Sequence, residues 1–360
     1  MRNIIIRGTG GYIPDNVVKN EDFLENVFYD ANGQKLEKDN EEVIEKLKQI
    51  TGIEERRYAD EQHVLSDIAS FAGKAAIENA GIDPESLDYI IMAHNAGDVV
   101  SHNRQMNILP PIASRVKAKL GIKNPYAVAY DVPFGCPGWI EAVIQSSYYL
   151  RSGDASRALV IGGETLSRIV DPHDRDGMIF SDGAGAAIIE AQEGDKKEGM
   201  LSHKTRSDAV DYVDLLSMGP SNKPGGINNQ VFIKMNGRKL YEYALNNVPQ
   251  LVKDCIDNSG YEAKDVKKIL IHQANEKMDE AMVKRLYRLY GQRTVPDKIM
   301  PLTLGWLGNN SVATIPIMYD LILHNKMEDH TINPGDLLVF VSVGAGMNIN
   351  AFVYKTPEKQ

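Results

Sequence analysis

Cysteine is scarce: the 360 residues hold two, Cys136 and Cys255. Two thiols so far apart form no disulfide framework and no paired zinc-ligand spacing, and they give no sign of secretion. Long hydrophobic runs are missing too, since nothing approaches the roughly 20 apolar residues that a membrane span needs. The opening "MRNIIIRGTGG" has too short an apolar run for a signal peptide. A surplus of positive charge is also lacking, with 40 Lys and Arg against 49 Asp and Glu and a net charge of −9. That argues against broad nucleic-acid binding, which calls for an excess of basic side chains to neutralise phosphates. A cytoplasmic protein that neither enters a membrane nor binds nucleic acid is the expectation. What is present, 43% hydrophobic and 25% charged residues, can bury sizeable cores in two domains or in one large duplicated domain.

Short β-branched runs alternate with segments of helical period, the mark of an α/β chain with mostly parallel strands. Strands are expected at 3–8, 87–94, 126–132, 158–163 and 185–191, with helices at 64–80, 111–120 and 137–151. The second part repeats the rhythm, with helices near 239–258, 275–290 and 311–325 and strands at 267–272, 336–343 and 348–355. The charged stretch 29–46 reads as a surface segment leading into a helix, and the turn-rich 219–230 reads as a loop.

"YDVPFGCPGWIEAV" (130–143) sets Cys136 between a strand and a helix opened by Pro137 and Gly138. Proline suits a first helical position, and the positive end of a helix dipole favours the thiolate, which is the nucleophilic form. Cys255, within "LVKDCIDNSG", shares none of these features and reads as a core thiol. In the second half, "LIHQAN" puts His272 at the end of an apolar strand, where catalytic groups of α/β proteins commonly emerge. "GNNSVATIP" puts Asn309 just before a helix, and "VGAGMNIN" supplies small residues through which backbone can approach a ligand.

In this order the stretches resemble the beta-ketoacyl-acyl carrier protein synthase III family of condensing enzymes. The resemblance runs nearly end to end: "GTGGYIPDNVVKNEDF" (8–23), "TGIEERRY" (51–58), "AAIENAGIDPESLDYII" (75–91), "VKAKLGIKN" (116–124), the Cys136 segment, "DRDGMIFSDGAGAAI" (174–188), "MNGRKLYEYA" (235–244), "HQAN" (272–275), "GNNSVATIP" (308–316) and "GDLLVFVSVGAG" (335–346). It implies a thiolase-like fold, two similar βαβαβαββ halves (1–192 and 193–360) forming a five-layered αβαβα core. It implies that Cys136 takes an acyl group from coenzyme A. The acyl-enzyme then condenses with malonyl-acyl carrier protein as carbon dioxide leaves, the initiating step of fatty-acid synthesis. Cys136, His272 and Asn309 are the implied catalytic triad, with the backbone N–H groups of Cys136 and Ala345 as oxyanion hole. An amide rather than a carboxylate suits the third position, because an anion beside a forming enolate would raise the barrier. No cofactor or metal is required beyond acyl-CoA and malonyl-acyl carrier protein as substrates. Asn275 and Arg175 fall where the family contacts the pantetheine or nucleotide end of its substrate, and Leu109 near where a partner subunit closes the acyl pocket of a homodimer. Lys277, Lys284 and Arg288 share one helix face, a dock for acidic acyl carrier protein.

The pattern departs from the family in places. Lys46 and Ile50 stand where an aromatic residue and an Arg usually grip the coenzyme A adenine. Pro137 and Trp139 flank the nucleophile, and the segment 95–111 is lengthened, which leaves acyl chain and acyl carrier open. The alternatives are a related condensing or acyl-transfer enzyme of secondary metabolism and, from another class, a catalytically silent partner subunit. A hydroxymethylglutaryl-CoA synthase would need a catalytic Glu that the Cys136 segment does not offer. A papain-like hydrolase would show Cys-Gly-x-Cys-Trp. A dinucleotide enzyme would run "GTGGYIP" into a helix, where Pro14 stands.

Overall fold

The structure, a computed structural model, describes residues 2–226 and 230–358. Strands β1 (Arg2–Tyr12), β2 (Tyr89–Ala93), β3 (Val128–Val132), β4 (Arg157–Thr165) and β5 (Asp182–Glu193) form one sheet in the order β1-β5-β4-β2-β3. In it β2 runs parallel to β3 and β4, while β5 is antiparallel to β4 and β1. The chain crosses to a second sheet between Glu193 and Gly199. There β6 (Gly199–Ser207), β7 (Val266–Ile271), β8 (Leu337–Gly344) and β9 (Asn348–Lys355) lie in the order β6-β9-β8-β7. β7 is parallel to β8, and β9 is antiparallel to β8 and β6, so the second sheet repeats the first without its last strand. Where a counterpart of β3 would pair, the N–H of Ile269 donates to the carbonyl of Ile299 at 2.8 Å.

The helices used below are α1 (Asn40–Thr51), α2 (Leu65–Ala80), α3 (Ile112–Lys119), α4 (Gly138–Ser152), α5 (Gly237–Ser259), α6 (Glu276–Leu289) and α7 (Thr314–Leu323). A helix covered on all sides must be apolar around its circumference. α7, "TIPIMYDLIL", fits that demand, and its residues 314–322 are buried. With α4 it lies between the sheets, where Ile140, Val143, Met318 and Ile322 meet Val160 and Ile189 of the first sheet and Phe340 and Phe352 of the second. α2 and α3 cover the outer face of the first sheet, and α5 and α6 the outer face of the second. The layers read αβαβα, a thiolase-type fold.

The expected strands of both sheets form within a few residues of their expected bounds; β6, "GMLSHKTRS", was not foreseen. It is a polar edge strand, recruited by its ladder with β9 and marked by no hydrophobic alternation. Short pairs at Asn16–Lys19 with Glu55–Tyr58, Asp98–Val100 with Asn103–Asn107, and Leu216–Gly219 with Phe232–Met235 went unread for the same reason. The charged segment 29–46 holds its helix only from Asn40 onward. The expected loop 219–230 follows a strand ending at Gly219, and its residues 227–229 lie outside the described ones. Among the described residues no helix is long and apolar enough to cross a membrane.

Candidate active site

The parallel strands of both sheets aim their carboxyl ends at one region, where Cys136 follows β3, His272 follows β7 and Asn309 arrives on the turn ahead of α7. β3 leads through Phe134 and Gly135 to Cys136. The helix begins one residue later than the sequence implies, with Pro137 as its N-cap and Gly138 as its first residue. Gly135 has φ +73°, and a Cβ there would lie 3.0 Å from the backbone nitrogen of Ala345. From the other side, a Cβ on Gly344 would lie 2.8 Å from both the Cβ and the backbone nitrogen of Cys136. Two glycines thus let the turn after β8 close against the backbone of Cys136. The backbone amides expected to form an oxyanion hole, those of Cys136 and Ala345, belong to these two touching segments.

The Cys136 thiol is 9% exposed, and burial pushes its pKa up to about 11 against the pull of a hydrogen bond from Ser311. Desolvation thus outweighs the groups that favour the thiolate, the hydrogen bond from Ser311 among them.

Ser311 is the common neighbour of the three residues singled out in the sequence. Its hydroxyl donates to Cys136 Sγ at 3.2 Å, and its backbone N–H donates to Asn309 Oδ1 at 2.8 Å. A backbone hydrogen bond with Ser311 also favours protonated His272, but burial dominates and lowers the imidazole to about 4. His272 is therefore neutral at ordinary pH. It follows directly on β7, and its N–H donates to the carbonyl of Val341 at 2.9 Å. Its Nδ1 is buried without a partner among the described residues. The adjoining Gln273 pins this corner by donating to the Pro301 carbonyl and accepting from the N–H groups of Thr303 and Leu304. Asn309 is anchored to the start of β5, where its N–H donates to Ile179 O and its carbonyl accepts from Ser181 N. With Oδ1 committed to Ser311, Nδ2 is the atom of Asn309 left to donate to a substrate.

Cys136 opens on a cavity of about 200 Å³ whose walls include Leu166, Ile169, Phe180, Leu216, Met218 and Ile233. Trp139, although it flanks Cys136 in sequence, is not part of this wall. It is buried in the central layer against Phe340 and Phe352, and its Nε1 donates to Val160 O at 3.3 Å. Leu109 is 82% exposed and lies outside this wall within one chain, whereas Met106 of the same lengthened segment lines it. Sequence reasoning missed three polar wall residues, Asn95 after β2, Ser217 and Ser311. It also missed Glu164 behind them in β4, although a carboxylate at the end of the apolar "ALVIGGET" was a signal. Burial raises Glu164 well above the ordinary carboxylate range.

A second cleft, about 330 Å³, lies beyond this wall: Ile179 faces the cleft and Phe180 the cavity. It gathers Arg175, Asn275, Lys46 and Ile50 with Arg238 and Tyr241. Asn275 caps α6, its Oδ1 accepting from Met278 N at 3.0 Å. Arg175 is half-exposed, its nearest acid being Asp176 at 3.7 Å. Lys277, Lys284 and Arg288 are exposed on α6, and Lys284 pairs with Glu280 at 2.8 Å. Among the described residues no group of His, Cys, Asp or Glu could hold a metal ion.

Comparison with known proteins places these features in a family. Residues 130–209 match 3-Oxoacyl-[acyl-carrier-protein (ACP)] synthase III, and residues 256–356 match its C-terminal counterpart. A beta-ketoacyl-[acyl-carrier-protein] synthase III of Erythrobacter litoralis is 32% identical over 96% of this chain and 97% of its own. One from Synechococcus sp. (strain RCC307) is 33% identical over 98% and 97%. The crystal structure of 3-oxoacyl-[acyl-carrier-protein] synthase III from Aquifex aeolicus superposes with a TM-score of 0.79 at 28% identity, covering 99% of this chain and 100% of that one.

Proposed function

The chain belongs to the beta-ketoacyl-[acyl-carrier-protein] synthase III family, acyltransferase-type condensing enzymes of fatty-acid initiation; from that premise we propose that Cys136, His272 and Asn309 carry the reaction. The thiolate of Cys136 attacks the thioester carbonyl of an acyl-coenzyme A. The N–H groups of Cys136 and Ala345 hold the resulting oxyanion. Collapse expels the coenzyme A thiolate, which leaves with the proton the thiol gave up. Malonyl-acyl carrier protein then loses carbon dioxide, and the neutral imidazole and the Asn309 amide donate hydrogen bonds to the enolate oxygen. The enolate carbon attacks the acyl-cysteine and the Cys136 thiolate departs from a beta-ketoacyl product. No metal or resident cofactor takes part in these steps.

The observation that carries the reading is Ser311, which touches Cys136, Asn309 and His272 at once. A protonated imidazole would hold malonyl carboxylate and resist its loss, so the lowered pKa of His272 suits decarboxylation. The outer cleft is the route for pantetheine, with Asn275 and Arg175 at its walls. Lys46 and Ile50 supply no planar grip on adenine there, which favours a pantetheine-centred mode of binding. Lys277, Lys284 and Arg288 form the dock for an acidic carrier. The protein acts as a homodimer in which exposed Leu109 reaches the partner's acyl pocket.

Intact-protein mass spectrometry after incubation with a panel of acyl-coenzyme A species tests the first half-reaction. One acyl adduct is expected on the parent and none on Cys136→Ala. Release of carbon dioxide from malonyl-acyl carrier protein tests the second half, and its absence in a well-folded protein favours the silent-subunit reading.

A further inference from the structure

The proposed chemistry leaves one set of buried polar groups at the cavity without a task. Asn95 Nδ2 donates to Glu164 Oε1 at 2.6 Å and to Ser311 Oγ at 3.0 Å, which uses both amide hydrogens. An acceptor lone pair of Ser311 is thereby occupied from the Asn95 side. Its single hydrogen points the other way, to Cys136 Sγ at 3.2 Å. The backbone at Ser311 is bent to permit this, with φ +51°, a conformation that a residue with a Cβ adopts only when its surroundings enforce it. The enforcing bonds are Ser311 N to Asn309 Oδ1 at 2.8 Å and Asn310 Nδ2 to the Asp182 carbonyl at 2.8 Å.

We infer that the Ser311 hydroxyl is a dedicated hydrogen-bond donor to the Cys136 sulfur, oriented by Asn95, which Glu164 in turn holds as a neutral carboxylic acid. Ser311 touches the reacting atom and is a further catalytic residue; Asn95 and Glu164 are positioning residues. The inference rests on Cys136 being the nucleophile. A donor at this place favours thiolate over thiol, because a hydrogen bond to a charged acceptor is the stronger one. It offsets part of the burial that otherwise keeps the proton on the sulfur. Glu164 is completely buried, and its Oε2 has no partner among the described residues. An isolated charge there would be costly, whereas a neutral acid still offers Oε1 to Asn95. The titratable groups facing the thiol and its relay are Glu164 of β4, His272 after β7 and, acting on Glu164, Asp182 of β5.

The test is the pH dependence of Cys136 alkylation by iodoacetamide on the full chain, with peptide mapping to separate Cys136 from Cys255. Ser311→Ala is expected to move the apparent thiol pKa up by about one unit, a roughly tenfold slower alkylation at a fixed pH below it. Asn95→Leu should reproduce the shift, and it decides the matter if Ser311→Ala fails to fold. Glu164→Leu should shift the profile likewise, and Glu164→Gln should restore it, since a glutamine Oε1 accepts the same bond. A Ser311→Ala profile identical to the parent's, with Cys136 still labelled, overturns the inference alone. So does a Glu164→Gln shift as large as that of Ser311→Ala, which would mean the carboxylate is charged. A parent Cys136 that neither alkylates nor acylates removes the nucleophile reading and this inference together.

Discussion

At the scale of single residues, the site divides its labour by charge state. In the proposed reaction the sulfur must ionise to attack, while His272 and Asn309 serve as neutral donors. Cys136→Ala should therefore abolish acyl transfer while leaving the thermal transition in place. His272→Ala and Asn309→Ala should each lower malonyl decarboxylation by about a hundredfold, the scale of one lost oxyanion donor, with a smaller effect on Cys136 acylation. Loss of acylation in Asn309→Ala with decarboxylation untouched would reverse the assignment. Neutral His272 also leaves a mark on stability. Its pKa falls from the ordinary 6.5 to about 4 in the folded chain, so between these values the unfolded state binds more protons. The contribution is present above pH 6.5 and is lost as pH falls towards 4, by about 3 kcal/mol in all. Urea unfolding at pH 7 and pH 4.5 should show that loss in the parent and a flatter response in His272→Gln. Glu164 and Asp182, both raised by burial, act with the opposite sign and are present in both proteins, so they cancel in the comparison.

At the scale of elements, the reacting groups sit on turns rather than within helices or strands, and each turn is fixed by contact with another. Gly344 is the sharpest case, because the nearest atoms to an added Cβ include Cys136 backbone and cannot swing aside. Gly344→Ala should displace the nucleophile's turn and cost about a hundredfold in acylation, as sub-ångström to ångström misplacements do. An unchanged acylation rate would mean that the contact is not part of the site. The α6 face gives a milder prediction. Lys277→Glu with Arg288→Glu should raise KM for malonyl-acyl carrier protein a few-fold, as rim charges do, and leave KM for a malonyl thioester of free pantetheine unaltered. Equal effects on both would remove the docking role. What the sequence made legible follows the same division. Cys136, His272 and Asn309 were readable because strand ends and helix starts announce themselves through apolar periodicity, turn residues and the family's motifs. Asn95 was not, and the carboxylate of Glu164 was a signal without a meaning, because their pairing depends on β2 and β4 being parallel neighbours that deliver both side chains to one point. The direction of Trp139 was open for a related reason: it is the second residue of α4, and which face of a buried helix meets which sheet is a tertiary fact.

At the scale of the molecule, two sheets with a shared helical layer leave the acyl cavity between the carboxyl ends of the first sheet and the small strand pair Leu216–Gly219 with Phe232–Met235. Its volume of about 200 Å³ is several times the roughly 30 Å³ share of one water molecule in the liquid, so an acetyl group would leave most of it unfilled. Trp139 faces away, and the apolar part of the wall is made of Leu, Ile, Met and Phe side chains. Ile108 and Leu109, two and three residues beyond Met106 of the wall, are exposed. Each methylene buried in such a space contributes about 0.8 kcal/mol, near fourfold in acylation efficiency per carbon until the space is full. Cys136 acylation should therefore rise from acetyl to butyryl to hexanoyl coenzyme A and fall once the chain outgrows the cavity. Leu216→Trp, which narrows the wall without touching Cys136, should move the optimum towards acetyl. Light scattering of the same samples should report a dimer, and Leu109→Trp should shorten the preferred chain if the partner's residue closes the pocket. Acylation rates that decline steadily from acetyl to hexanoyl would show that the space is not used by the acyl chain at all.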